Sequence, residues 1–310
     1  MAAILNRRQR KRISRLFRHP VETAGVRLAF GAVDHLSTAT VEKFTESFAG
    51  IWYRIDYRRR RIASENILAA GLAADRRSAA AIAQTSFRHF GRMTGEMLAM
   101  KRILQDEGWD KLIDDSGVDA TTRAILEDKS QGILIVSGHI GNWELAAQWI
   151  AQYKPLVVIA RNMNNPQVQR MIEEHSPRRD VRVISKHEAD TATLLRCLKD
   201  GCALSLLIDQ NARSHGVPIE FLGRNASTYP SAALLHLVTR TPLCFGACIR
   251  TGPRRFKIEA DAPLAITPSG NRQADVKTIL ETLTRQLENT VRKHPEQYLW
   301  GHRRWRSNLG

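Results

Sequence analysis

His139 stands directly after the apolar run Gly132-Ile-Leu-Ile-Val-Ser-Gly138, and Ile-Gly-Asn-Trp-Glu144 follows it. An imidazole takes and returns a proton near neutral pH better than any other side chain. A carboxylate five positions on, at Glu144, can fix the ring's tautomer and balance its charge once it is protonated. The chemistry this pair suits is general-base activation of a hydroxyl. Gly138 and Gly141 allow a sharp turn and a close approach to substrate. A helix start just beyond them offers N–H groups where negative charge develops. The spacing alone says little, because the chain has ten histidines and repeats the interval at His175/Asp180 and His215/Glu220. Those two lack the strand-to-helix setting and the flanking glycines.

The elements that must position His139 are legible from Gly132 onward. Short apolar runs at Ile133–Val136, Leu156–Ala160, Val181–Ile184 and Ala203–Ile208 read as strands. Amphipathic stretches at Trp143–Ala151, Gln167–Glu174 and Thr191–Leu198 separate them as helices. Further strands are expected at Leu243–Cys248 and Phe256–Ala260, with a helix from about Pro230 and a long one over 274–293. Continuous apolar strands alternating with helices imply an α/β fold with a mostly parallel central sheet covered on both faces. Ligands of such sheets bind beyond the carboxyl ends of the strands, where His139 falls.

Residues 1–105 read differently. They hold helical periodicity, and no proline occurs from 21 to 154. The expected organisation is a helical, membrane-associating section over 1–105 and an α/β core over 106–310, within one structural domain. Residues 1–18 carry Arg7, Arg8, Arg10, Lys11, Arg12, Arg15 and Arg18 around Ile13, Leu16 and Phe17, a basic amphipathic pattern suited to an anionic headgroup layer. Phe44, Phe48, Ile51, Trp52 and Ile55 recur at helical spacing and run into Tyr57 and Arg58–Arg61. Aromatic residues beside a basic cluster belong at a membrane–water interface.

Charge points the same way without deciding it. The 310 residues hold 47 Lys+Arg against 31 Asp+Glu, a formal net charge of +16. Such a field favours polyanionic partners. Nucleic acid is not the expected one, since no recognised binding motif is present and the basic residues flank apolar helical faces. No stretch reaches the roughly 18–20 apolar residues that cross a bilayer, and no secretory leader pattern stands at the N-terminus. Cys197, Cys202, Cys244 and Cys248 fit no zinc or redox spacing and read as reduced, mostly buried thiols.

Gly138-His-Ile-Gly-Asn-Trp-Glu144 resembles the signature of the bacterial lipid A biosynthesis lauroyl/myristoyl acyltransferases, part of the wider lysophospholipid and glycerolipid acyltransferase superfamily with its His-x4-Asp/Glu motif. Three more segments resemble the family in the same order. They are Arg161 with Asn165-Pro166, Asp209-Gln210 with the stretch 216–228, and the tail Pro295-Glu-Gln-Tyr-Leu-Trp-Gly-His-Arg-Arg-Trp-Arg306. The resemblance spans about residues 60–306. It implies a glycerolipid-acyltransferase-like fold, an O-acyltransferase activity, an acyl-acyl carrier protein donor and a lipid A precursor as acceptor, with no cofactor and no metal. His139 is then the general base and Glu144 its orienting acid. Arg161, Arg178 and Arg179 are expected to bind phosphate. Asp209 is expected to orient Arg161 or a substrate hydroxyl, or to cap a turn. Asn142 suits a substrate ligand and a helix N-cap equally. Attachment to the cytoplasmic face of the inner membrane, peripheral or monotopic, is expected, because Arg27, Asp34 and His35 interrupt the apolar stretch around Val26, Leu28 and Phe30. Another glycolipid or a lysophospholipid as acceptor, with an acyl-coenzyme A donor, stays open.

Overall fold

The computed structural model describes residues 7–160, 162–175, 180–185 and 190–305, with side chains from His19 onward except that of His175. Four helices come first: α1 (Arg7–His35), α2 (Thr38–Ile55), α3 (Tyr57–Ala69) and α4 (Arg76–Glu107). The starts of α2, α3 and α4 are set by local chemistry. The Ser37 hydroxyl accepts the Thr40 N–H, the Asp56 carboxylate accepts the Arg59 N–H, and Asp75 and Ser78 form a reciprocal capping box. The basic amphipathic pattern expected over 1–18 lies outside the described side chains. Among the described residues no helix is long and apolar enough to cross a membrane.

The α/β part continues with α5 (Trp109–Leu112), β1 (Ile113–Val118), α6 (Ala120–Glu127), β2 (Ile133–Ser137), α7 (Trp143–Ile150), β3 (Leu156–Ala160), α8 (Pro166–His175), β4 (Val181–Ser185), α9 (Thr191–Lys199) and β5 (Ala203–Leu207). A two-stranded antiparallel ribbon, β6 (Val217–Phe221) and β7 (Arg224–Thr228), interrupts it. Then come α10 (Ser231–Thr239), β8 (Leu243–Gly252), β9 (Arg255–Ala260) and α11 (Arg272–Lys293). Seven strands form one sheet in the order β1-β9-β8-β2-β5-β3-β4. Every neighbouring pair is parallel except the β8–β9 hairpin.

Both faces of the middle of the sheet are covered, as its apolar strands β2, β3 and β5 require. Leu134, Val136 and Leu204 join one core with Ile279, Leu283 and Leu287 of α11. Ile133 and Ile135 point into the other, with Leu126, Leu145 and Trp149. Alternation along a strand sends successive side chains to opposite faces, so one run serves two cores. The arrangement that matters for function is the pairing of β2 with β5. They are parallel neighbours with Ser137 opposite Leu207, so the residues following each strand emerge side by side.

Candidate active site

His139 leaves the end of β2, and Asp209 leaves the end of β5. One Asp209 oxygen lies 2.8 Å from His139 Nδ1, and the other accepts the His139 backbone N–H at 2.8 Å. A buried carboxylate thus grips ring and backbone together. Burial pushes the Asp209 carboxyl up, but the facing imidazole, its hydrogen bonds and the Arg304 charge outweigh that and hold it down to about 2. Burial likewise pulls His139 down, and Asp209 overcomes it, so the imidazole sits above its ordinary value. With Nδ1–H donating to the Asp209 carboxylate, Nε2 carries the lone pair. Gln210 Nε2 approaches it at 3.3 Å, and the Trp143 ring stands edge-on with centroids 5.0 Å apart.

The loop that carries His139 is pinned from several sides. Gly141 has φ +61°, and a Cβ there would lie 1.9 Å from the Cys248 carbonyl oxygen, so only glycine fits. Its N–H donates to the Gln297 carbonyl at 3.0 Å, and the Asn142 N–H donates to the Cys248 carbonyl at 2.8 Å. The Leu299 N–H donates to the His139 carbonyl at 3.0 Å. From α4, His89 Nε2 meets the Gly141 carbonyl at 3.0 Å; burial lowers this histidine to about 4, so it stays neutral and donates. Asn142 caps α7, its Oδ1 accepting the Leu145 N–H at 3.0 Å, while its Nδ2 donates to Glu96 at 3.0 Å. Glu96 is in turn held by both terminal nitrogens of Arg250, at 2.5 and 2.6 Å.

The chain's tail closes the underside. Arg304 is buried, and its Nη1 donates to the Gln210 carbonyl at 2.9 Å and to the Ser227 carbonyl at 2.6 Å. Its Nη2 reaches the Thr228 hydroxyl at 2.6 Å. Burial and the Asp209 charge push the Tyr298 phenol well above its ordinary value, so it remains a protonated neighbour of the pair.

Two expectations change. The carboxylate on the ring nitrogen is that of Asp209, not Glu144. Glu144 sits in the first turn of α7, with Gln148 Nε2 3.5 Å from its Oε1. The physical reason is strand order, which brings the end of β5 against the end of β2 and which local spacing does not reveal. Asn142 is a cap rather than a substrate ligand: it is 1% exposed, and both ends of its amide are engaged within the protein. Arg161, Arg178 and Arg179 lie outside the described residues. Asn165, expected beside Arg161, begins α8 by accepting the Gln167 N–H at 3.1 Å and ties it to α1 through the His19 carbonyl at 3.0 Å. Cys197, Cys244 and Cys248 are buried and Cys202 half-buried, all unpaired. Burial pushes the first three thiols up, which makes them unreactive. Arg304, with Trp300, His302 and Arg303, resembles the family's tail in the sequence, and Gln210 and Tyr298 carry no signal beyond lying in segments that resemble the family.

The fold and site define an α/β protein with a histidine–aspartate pair at the carboxyl edge of a mostly parallel sheet. This chain belongs to the bacterial lipid A biosynthesis acyltransferase family, which matches residues 10–307. It is an acyltransferase. No protein of curated description matches it. Among solved structures, the 1-acyl-sn-glycerophosphate (LPA) acyltransferase PlsC from Thermotoga maritima is similar at 11% identity, covering 81% of this chain and 98% of that one, with a TM-score of 0.34.

Proposed function

We propose that this acyltransferase moves a fatty acyl chain from an acyl carrier protein thioester to a hydroxyl of a lipid A precursor, with His139 as the general base. The observation that carries the reading is the 2.8 Å contact between His139 Nδ1 and Asp209. It leaves Nε2 as the proton acceptor and places a negative charge behind the imidazolium that forms. Nε2 takes the proton of the acceptor hydroxyl as its oxygen attacks the thioester carbonyl carbon. The tetrahedral species collapses, the C–S bond breaks, and the imidazolium returns the proton to the departing sulfur. A thioester is reactive enough that no acyl-enzyme is needed. The base contributes roughly 10²–10⁴ in rate, and alignment of the two lipids contributes much of the rest.

The substrates suit the molecule's charge. A net +16 attracts both an acidic carrier protein and a phosphorylated acceptor. The exposed stripe of Phe44, Phe48, Ile51, Trp52 and Ile55 on α2 supports attachment to the cytoplasmic face of the inner membrane, where the acceptor's chains are anchored.

The test is acyl transfer by purified wild type and His139→Ala, with acyl carrier protein and coenzyme A donors, against a lipid A precursor, another glycolipid and a lysophospholipid. The expected result is ester formation on the lipid A precursor from the carrier-protein donor, abolished in a His139→Ala protein with unchanged circular dichroism. Wild-type turnover by that variant would end the proposal for His139. Preference for another acceptor or for coenzyme A would replace the substrates.

A further inference from the structure

An alkoxide attacking a thioester drives charge onto the carbonyl oxygen, and that oxyanion needs donors about 2.7–3.1 Å away. Backbone N–H groups of the loop beside the base are the usual suppliers. Here those of residues 139–142 are spent. The His139 N–H is given to Asp209, that of Ile140 to the Gly138 carbonyl, that of Gly141 to the Gln297 carbonyl and that of Asn142 to the Cys248 carbonyl. The Leu145 N–H, one turn into α7, goes to the Asn142 side chain. The donor that does stand at the reacting nitrogen is a side-chain amide, Gln210 Nε2, 3.3 Å from His139 Nε2.

We propose that Gln210 is a catalytic residue whose side-chain amide donates to the thioester oxyanion. The inference rests on His139 being the base and adds the group that stabilises the charge His139 helps create. In the resting protein Nε2 of the neutral ring carries a lone pair, and the amide N–H covers it. An acceptor hydroxyl must take that place to deliver its proton, within about 2.6–3.2 Å of Nε2. The carbonyl under attack then lies one contact further on, and its oxygen falls within the sweep of the displaced amide. Gln210 is built for such a swing. Its side chain is exposed and its backbone carbonyl is fixed at 2.9 Å by the buried Arg304 guanidinium, so the anchor holds while the amide turns. The residue directly before it is Asp209, so one strand end supplies both the partner of the base and the oxyanion donor.

The test compares Gln210→Met, of similar length but without a donor, and Gln210→Glu, the nearer isostere with a repelling charge, with wild type and His139→Ala. Initial rates are taken across a pH series at saturating donor and acceptor. For Gln210→Met, kcat should fall on the order of 10²–10³-fold, with KM for both substrates and the acid limb of the pH profile unmoved. Gln210→Glu should fall further, whereas a merely structural role would spare the closer isostere. A Gln210→Met kcat within about threefold of wild type, or a loss wholly accounted for by KM or by a displaced acid limb, would overturn the assignment. The two readings fail separately. Full turnover by His139→Ala removes the base, while an inactive His139→Ala beside an undiminished Gln210→Met removes only the oxyanion donor.

Discussion

A base works only while unprotonated, so under the proposed mechanism the pH at which His139 loses its proton sets the acid limb of the rate profile. Asp209 raises that value against the opposing pull of burial. Replacing Asp209 with Asn removes the attraction and leaves the burial. The acid limb of kcat should therefore move to lower pH while the plateau falls on the order of 10²–10⁴-fold, because the amide no longer fixes the productive tautomer. Glu144→Gln should leave the limb where it is, since Asp209 holds the ring. A shift on Glu144→Gln and none on Asp209→Asn would reverse the assignment. Stability follows from the same shifts. The Asp209 contribution is present above the unfolded carboxylate value and lost as pH falls toward about 2. The His139 contribution is present below the unfolded imidazole value and lost as pH rises through its raised one. The Tm gap between wild type and His139→Ala should accordingly be widest at mildly acidic pH and narrow above neutrality.

Elements bring these residues together, and they were unevenly legible in the sequence. Strands β2, β3 and β5 announce themselves as largely apolar runs from the middle of the sheet, β2 buried throughout, whereas β4, at one edge, carries the exposed Arg182. β1 reads Ile-Asp-Asp-Ser-Gly-Val and β7 reads Arg-Asn-Ala-Ser-Thr, one at the edge of the sheet and one in a small ribbon, so no apolar run marks them. His139 was readable because its glycines and strand-to-helix setting are local. Its partnership with Asp209 was not, since it depends on β5 lying between β2 and β3, an insertion in space that leaves no trace in spacing. The supports from α4 are equally non-local: His89 and Glu96 look like ordinary helix residues until the Gly141 carbonyl and the Asn142 amide are found against them. Gly141 concentrates this dependence. Gly141→Ala would set a Cβ at 1.9 Å from the Cys248 oxygen in a left-handed conformation, so β8 or the loop must yield. The expected cost is about 2–4 kcal/mol, measured by chemical denaturation. Activity should fall by more than the folded fraction accounts for, because the turn that yields carries His139.

At the scale of the whole molecule, the exposed face of α2 and the catalytic loop are coupled through one helix. α4 receives α2 through the Arg92–Glu46 ion pair and the Tyr53 hydroxyl on the Ala80 carbonyl at 3.0 Å. The same helix carries His89 and Glu96 to the loop. Whatever α2 rests on is therefore held in a defined relation to His139. Phe44 is 69% exposed, Phe48 58% and Ile55 66%. These side chains lie on the helix face away from buried Glu42 and Tyr53, and the run Arg58–Arg61 follows directly. Two forces should then act on an anionic vesicle, and salt separates them. The charge attraction fades as the screening length shrinks to about 3 Å at 1 M salt, while apolar insertion does not. Wild type should pellet with vesicles of anionic phospholipid at physiological salt and retain part of that binding in 1 M salt. Phe48→Asp combined with Trp52→Asp should weaken binding at least about tenfold, and 1 M salt should release what remains. Because Phe48 and Trp52 are exposed and stand outside the buried core, the double variant should keep its Tm and its turnover on detergent-dispersed acceptor. Loss appearing only on vesicle-embedded acceptor would locate the defect at the membrane; undiminished vesicle binding would move the contact surface off α2.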